Sequence, residues 1–310
     1  MLAQRRNRST TDQGARRGAK EATADLTKAG RHDVSVRADG IKRWFILYVP
    51  KRYNPSSPTP LVFAFHGGTG GMNNMFGTRG DLIALAETKN FLLMFPNGQD
   101  GNDNLGSSTW NAGYCCGAAI MTGKSDVEFV RVMVQKLTSR LAVDRRHIHA
   151  MGFSNGGMFT HKLAAEMPDT FASVATMSAA IGGHNFPATE NLVPMAKASI
   201  PIMIMHGMAD TRVNFNGGFS SGVPKRYDMS FNETVSFWVK VNSCNATPAT
   251  ETRKGGKGDI NGSRYQGCAN GADVVSLAIQ NVKHGWMDRA FAGFDGTGQA
   301  IAFFEQHPKR

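Results

Sequence analysis

Two serines of the chain sit in Gly-x-Ser-x-Gly pentapeptides, Ser154 in Gly152-Phe153-Ser154-Asn155-Gly156 and Ser220 in Gly218-Phe219-Ser220-Ser221-Gly222. A serine hydroxyl becomes a nucleophile only beside a base that takes its proton and a carboxylate that orients the base. Asp210, in "HGMADTRV", and His284, in "NVKHGWMD", follow Ser154 along the chain. The order Ser, Asp, His, with each group at the carboxyl end of a strand, suits acyl transfer through a covalent intermediate. Asp228 and Asp273 are inferior candidates, because Asp228 precedes a helical pattern and Asp273 opens a strand.

A chain with 35 glycines matches the pentapeptide by accident, so context decides between the serines. Ser154 lies between an apolar strand, "HIHAMGF", and a helical pattern, "NGGMFTHKLAAEM". Gly152 and Gly156 then keep a tight turn clear of its neighbours, and Asn155 brings a free N–H to a helix start, where an anion is favoured. Ser220 has neither a strand before it nor a helix after it and reads as a chance match. The glycine-rich "HGGTGG" after "LVFAF" is the expected source of a second oxyanion donor, from Gly68 or Thr69. His66 in that stretch reads as a structural loop histidine. Trp110 and Trp286 are candidate walls of an acyl pocket, with Tyr114 a weaker one.

The elements that must position these groups alternate. Short, continuously apolar strands (Pro60–Gly68, Phe91–Gly98, Pro201–Gly207, Ala272–Gln280) are separated by helical patterns, one opening on Ser125 with Glu128 three residues on. Strands of that kind belong in a mostly parallel central sheet with helices on both faces. The chain of 310 residues, 41% apolar, carries no apolar run long enough for a membrane helix. Its formal charge is +11, and the first 31 residues hold eight basic and three acidic side chains with almost no apolar ones. Residues 1–31 read as a disordered basic tail and 32–310 as one catalytic domain. The tail has no interleaved aromatics and no binding fold after it, so no nucleic-acid partner is expected. An exported chain should begin with charges followed by an apolar stretch, and the apolar stretch is missing here, so a signal was either removed or never present. "DGNDN", Asp100–Asn104, starts like a calcium loop but has Leu105 where Gly is needed and Asn111 where Glu belongs. No metal site is expected, and the four cysteines fit no zinc spacing.

Together "FAFHGGTGG", "WNAGYCCG", "HIHAMGFSNGGM", "IMHGMADTRV", "FWVKVNSC", "YQGC" and "HGWM" resemble the esterase/polyhydroxybutyrate-depolymerase-like branch of the α/β-hydrolase superfamily, which includes feruloyl esterases. The resemblance runs from about Asp33 to the C-terminus. It implies the α/β-hydrolase fold, a Ser154–Asp210–His284 triad, no cofactor, and an extracellular or periplasmic monomer acting on carboxylic esters. The substrates implied are hydroxycinnamoyl esters or polyesters such as polyhydroxybutyrate, possible polymers included, with no membrane partner. It also implies a Cys244–Cys268 disulfide. Cys115 and Cys116 are left open between an adjacent pair and free thiols. The family tends to place glycines before its histidine and a proline after its tryptophan; here the stretch is Asn281-Val282-Lys283-His284-Gly285-Trp286-Met287, which implies a different loop shape. Rival readings are an acetyl-xylan-type esterase, a serine peptidase on the same scaffold, and a polymer-binding protein with an inactive triad.

Overall fold

The computed structural model describes residues 25–99 and 108–310. Along the chain the strands are β1 (Gly30–Ala38), β2 (Ile41–Val49), β3 (Thr59–Phe65), β4 (Leu92–Pro96), β5 (Val143–Phe153), β6 (Ser173–Met177), β7 (Gly183–Asn185), β8 (Ile202–Gly207), β9 (Gly218–Phe219), β10 (Arg226–Asp228), β11 (Ala249–Lys254), β12 (Asp259–Tyr265) and β13 (Val274–Ile279). The helices are α1 (Met72–Thr78), α2 (Gly80–Lys89), α3 (Gly117–Met121), α4 (Asp126–Thr138), α5 (Asn155–Glu166), α6 (Phe231–Val241), α7 (Arg289–Ala292) and α8 (Gly296–Gln306).

Ten strands form one sheet in the order β1-β2-β4-β3-β5-β6-β8-β13-β12-β11. The six central strands, β4 to β13 in that order, are parallel; β1 and β2 on one side and β12 and β11 on the other are antiparallel. Alternate residues of a strand face opposite sides, and β3 shows it. Leu61, Phe63 and Phe65 join one core with Phe129 of α4, Phe159 of α5 and Trp238 of α6. Val62 and Ala64 join the other with Leu82 of α2 and Phe303 and Phe304 of α8. Both faces are covered, which is why the central strands read as unbroken apolar runs. The helix expected from Ser125 begins as read, with the Ser125 hydroxyl accepting from the Glu128 N–H at 3.1 Å.

The expected tail is partly corrected. Its first 24 residues lie outside the described ones, as does Asp100–Asn104. The remainder is built into the fold: Leu26 is buried and β1 starts at Gly30, pairing along its length with β2. The segment between Cys244 and Cys268 is a hairpin of β11 and β12 at the sheet edge. β11 is exposed along nearly its whole length and β12 is polar apart from Ile260 and Tyr265, so no apolar alternation marks the hairpin in the sequence.

Cys244 and Cys268 are bonded and close a loop with a sequence separation of 24. Restricting the unfolded chain in this way is worth ~3 kcal/mol. Replacing both by serine is therefore expected to lower unfolding free energy by about that amount, read as a lower urea midpoint with the folded-state spectrum unchanged. Cys115 and Cys116 are also paired.

A second, three-stranded sheet, β7-β10-β9, is assembled from the segments that follow β6 and β8. Sequence periodicity gave no sign of strands this short. Asp228 at its centre is buried, bonded by Arg226 at 2.8 Å and by the Tyr114 hydroxyl at 3.1 Å.

Candidate active site

The loops after β5, β8 and β13 leave the same, carboxyl, edge of three parallel strands. Ser154 is the single residue between β5 and α5. Its φ is 54° and its ψ −126°, a strained conformation that non-glycine residues adopt only when their surroundings enforce it. The enforcement is visible in the flanking glycines. A Cβ on Gly152 would lie 2.3 Å from the Gly156 carbonyl oxygen, and one on Gly156 would lie 2.3 Å from that of His66. The turn closes only because both are absent. The Ser154 N–H donates to the Met177 carbonyl at 2.9 Å, tying the apex to the end of β6.

The three side chains predicted to cooperate meet. The Ser154 Oγ and His284 Nε2 are 2.9 Å apart, and His284 Nδ1 donates to Asp210 Oδ2 at 2.7 Å. Asp210 Oδ1 accepts the backbone N–H of Arg212 at 2.9 Å and of Val213 at 3.1 Å. Burial opposes ionisation of this carboxyl, but hydrogen bonds from His206 and His284 overcome it and hold Asp210 well below the ordinary carboxylate range. A carboxylate that stays charged keeps His284 with Nδ1 protonated and Nε2 free to take the serine proton. The ring of Phe153 lies 4.9 Å from the His284 ring.

The other candidates separate. Ser220 follows the two-residue β9, but no helix leaves it, and its hydroxyl donates to the Arg212 carbonyl at 2.6 Å while accepting from Gly222 and Val223 N–H groups. Asp273 pairs with Arg264, and Asp228 with Arg226. The glycine loop lies against the elbow: a Cβ on Gly67 would be 3.4 Å from the Ser154 Cβ, and one on Gly68 3.6 Å from the Asn155 Cβ. Thr69 has a φ of 61° in this turn. His66 is structural, as expected. Its Nε2 accepts the Gly98 N–H at 3.0 Å while Nδ1 faces the Gly67 carbonyl at 2.8 Å.

Trp110, Trp286 and Tyr114 are corrected. They are 0%, 8% and 2% exposed and have no face to offer a ligand. Trp110 stacks on Phe159 at 5.2 Å and meets Phe65 edge-on. Its indole N–H donates to the His66 carbonyl at 2.9 Å. The Asn155 side chain binds the Trp110 backbone twice, at 2.8 and 2.9 Å. Trp110 is thus a strut beneath the glycine loop and the elbow. Trp286 donates to Thr297 at the start of α8 and lies under the Arg79 guanidinium. Trp110→Ala is expected to cost about 3–5 kcal/mol of stability, seen as a fall in the thermal midpoint; an unchanged midpoint would contradict the strut.

One contributor was missed. His206, four residues before Asp210, is buried at the end of β8 with its Nε2 3.1 Å from Asp210 Oδ2. The stretch "IMHGMAD" contains both, but nothing in its spacing shows that a histidine on the strand reaches back to the turn. Among the described residues no group of three His, Cys, Asp or Glu side chains is arranged to hold a metal ion.

The family described as "Putative esterase" matches residues 38–219, more than half of the chain. The chain belongs to the esterase family. Feruloyl esterase B of Piromyces equi is 26% identical to it over 249 residues, covering 78% of this chain and 42% of that protein. The bifunctional acetylxylan esterase/xylanase XynS20E of Neocallimastix patriciarum is 24% identical over 251 residues, 80% of this chain and 32% of that one. The chain thus spans less than half the length of these two curated relatives. Among solved structures, acetyl xylan esterase from Aspergillus awamori superposes with a TM-score of 0.63 at 16% identity, over 89% of this chain and 99% of that one. That likeness is one of fold, and the fold of this chain is the α/β-hydrolase fold.

Proposed function

We propose that the protein is a serine carboxylic ester hydrolase working through an acyl-enzyme. What carries the reading is the unbroken chain from Ser154 Oγ through His284 to Asp210 at the apex of a strand–turn–helix. Ser154 Oγ attacks the ester carbonyl carbon as its proton passes to His284 Nε2. The carbonyl oxygen gains negative charge opposite the N–H groups of Asn155 and of Gly68 or Thr69, each such donor being worth roughly 3–4 kcal/mol. His284 then protonates the leaving alkoxide. Water, deprotonated by the same nitrogen, releases the acid and returns the proton to Ser154. Nucleophile, base, orienting carboxylate and oxyanion donors all come from this one chain, so the reaction asks for no cofactor.

The relatives' names favour ester groups on plant cell-wall polysaccharide, hydroxycinnamoyl first and acetyl second. A polyester substrate is favoured by a different feature. Phe186, Leu192, Met195 and Phe219, in the segments after β6 and β8, are exposed apolar side chains. Apolar side chains left in solvent are what an apolar polymer would cover. The Cys244–Cys268 bridge supports work in an oxidising, exported setting. The chain would act as a monomer, with neither nucleic acid nor membrane as partner.

A fluorophosphonate probe tests the chemistry and is expected to label Ser154 and spare Ser220. Methyl ferulate, acetylated xylan and a polyester film, tried side by side, order the substrates. An unlabelled Ser154 together with no hydrolysis of any of them would reject the proposal in favour of a binding protein.

A further inference from the structure

We infer that His206 is a positioning residue of the triad: a neutral imidazole whose Nε2–H holds the oxygen of Asp210 that receives His284. The inference rests on the esterase reading for its kinetic consequences and on geometry for the bond itself.

His206 Nε2 faces two acceptors, Asp210 Oδ2 at 3.1 Å and the Val213 carbonyl at 2.9 Å. A carbonyl oxygen accepts only, so Nε2 carries the proton. The other nitrogen is in a different situation. Nδ1 is buried and has no hydrogen-bond partner among the described residues. The Phe215 and Phe231 rings stand perpendicular to the imidazole, with centroids 5.7 and 6.1 Å away. An imidazolium would need a second acceptor there and finds aromatic carbon, so burial in this site selects the neutral Nε2–H tautomer.

The effect falls on one oxygen. Asp210 Oδ1 is fixed by the Arg212 and Val213 amides, and Oδ2 by His206 and His284. Val213 closes the ring, since its N–H holds Oδ1 and its carbonyl holds His206. The carboxylate can neither rotate nor be drawn toward one histidine alone. A second donor on Oδ2 also withdraws charge from it, which lowers its pull on the His284 proton. The titratable groups around His206 are Asp210 itself, His284 beyond it, His161 of α5 and, past Asp210, Asp228 of β10.

Three results test this. In His206→Leu the donor is gone: kcat/KM on a nitrophenyl ester is expected to fall about 10- to 100-fold, the range of one hydrogen bond to a charged group. The loss is carried by kcat, and the acid limb of the pH profile moves to higher pH, because an Asp210 with more charge on Oδ2 stabilises the His284 imidazolium. His206→Gln, which keeps an N–H at a similar reach, is expected to recover most of the loss. A folded His206→Leu enzyme with full activity, or one with lowered activity, an unmoved limb and no recovery in His206→Gln, overturns the inference. Nitrogen-15 shifts of the intact protein decide independently of any variant: in the active enzyme, a protonated Nε2 and a bare Nδ1 on His206 is the expected result. Two protonated nitrogens would refute it. A wild-type chain that cleaves no ester would sink the esterase reading while leaving that spectrum to decide the hydrogen bond.

Discussion

Ser154→Ala is expected to lose at least ~10⁴ of kcat on a nitrophenyl acetate while keeping its fold. The loss is large because nothing nearby replaces the hydroxyl. His284 Nε2 is directed at Ser154 Oγ, and Asp210 is committed to His284. Alanine leaves the backbone at φ 54°, ψ −126° as strained as before, since it keeps the Cβ that makes this conformation costly and the turn that holds it is unchanged. The thermal midpoint should therefore stay close to that of the parent. Ser220→Ala is the control. Its hydroxyl organises a surface turn against the Arg212 carbonyl, and turnover there should stay within about twofold, as for an ordinary surface substitution. Reversal of the two outcomes would place the chemistry at the wrong serine.

Acid should destabilise the fold well above the range where carboxylates titrate. Three buried histidines are held neutral, and burial is the leading cause for each. It pushes His66 down to about 4 and His149 and His161 down to about 3. Their partners agree. His66 Nε2 accepts from Gly98, His161 Nδ1 accepts the Trp238 indole N–H at 3.0 Å, and the His149 ring stacks on Phe304 at 4.7 Å. In the unfolded chain the same side chains titrate near ~6.5. The folded values are lower, so as pH falls the unfolded state binds protons first. The contribution is complete above about 6.5 and drains away toward the folded values, at up to ~1.4 kcal/mol per pH unit for each histidine. Asp210, with its lowered folded pKa, acts in the same direction but only below the ordinary carboxylate range of ~4. Urea midpoints measured from about pH 7 to pH 5 should fall steeply, and His149→Gln should make that slope shallower by roughly one histidine's share. A flat profile over that span would mean that these rings are not held neutral.

What the amino-acid order disclosed follows from burial. Leu61–Phe65, Leu92–Pro96 and Ile202–Gly207 are covered on both faces and announce themselves as unbroken apolar runs. The serine was legible because a tight elbow demands glycine at two fixed positions. The β11–β12 hairpin was not, since Thr250, Glu251 and Thr252 are solvated and carry no alternation. Trp110 was misread for a related reason. An aromatic in a glycine-rich loop looks the same whether it faces a ligand or a core, and only the folded chain brings Phe159 and Asn155 to it. His206 was overlooked because its bond to Asp210 crosses a turn, where strand periodicity says nothing about reach.

The flanking hairpins give the molecule a particular order of opening. Each of β5, β8 and β13 is hydrogen-bonded to a neighbour on both sides, and the two antiparallel ribbons stand between them and the lateral margins of the sheet. Fraying therefore starts at β1 or β11, and the amides beside the triad should be among the slowest to exchange with deuterated solvent. The apparatus would then survive until the whole domain gives way, so that heat or urea would abolish turnover and structure in a single step.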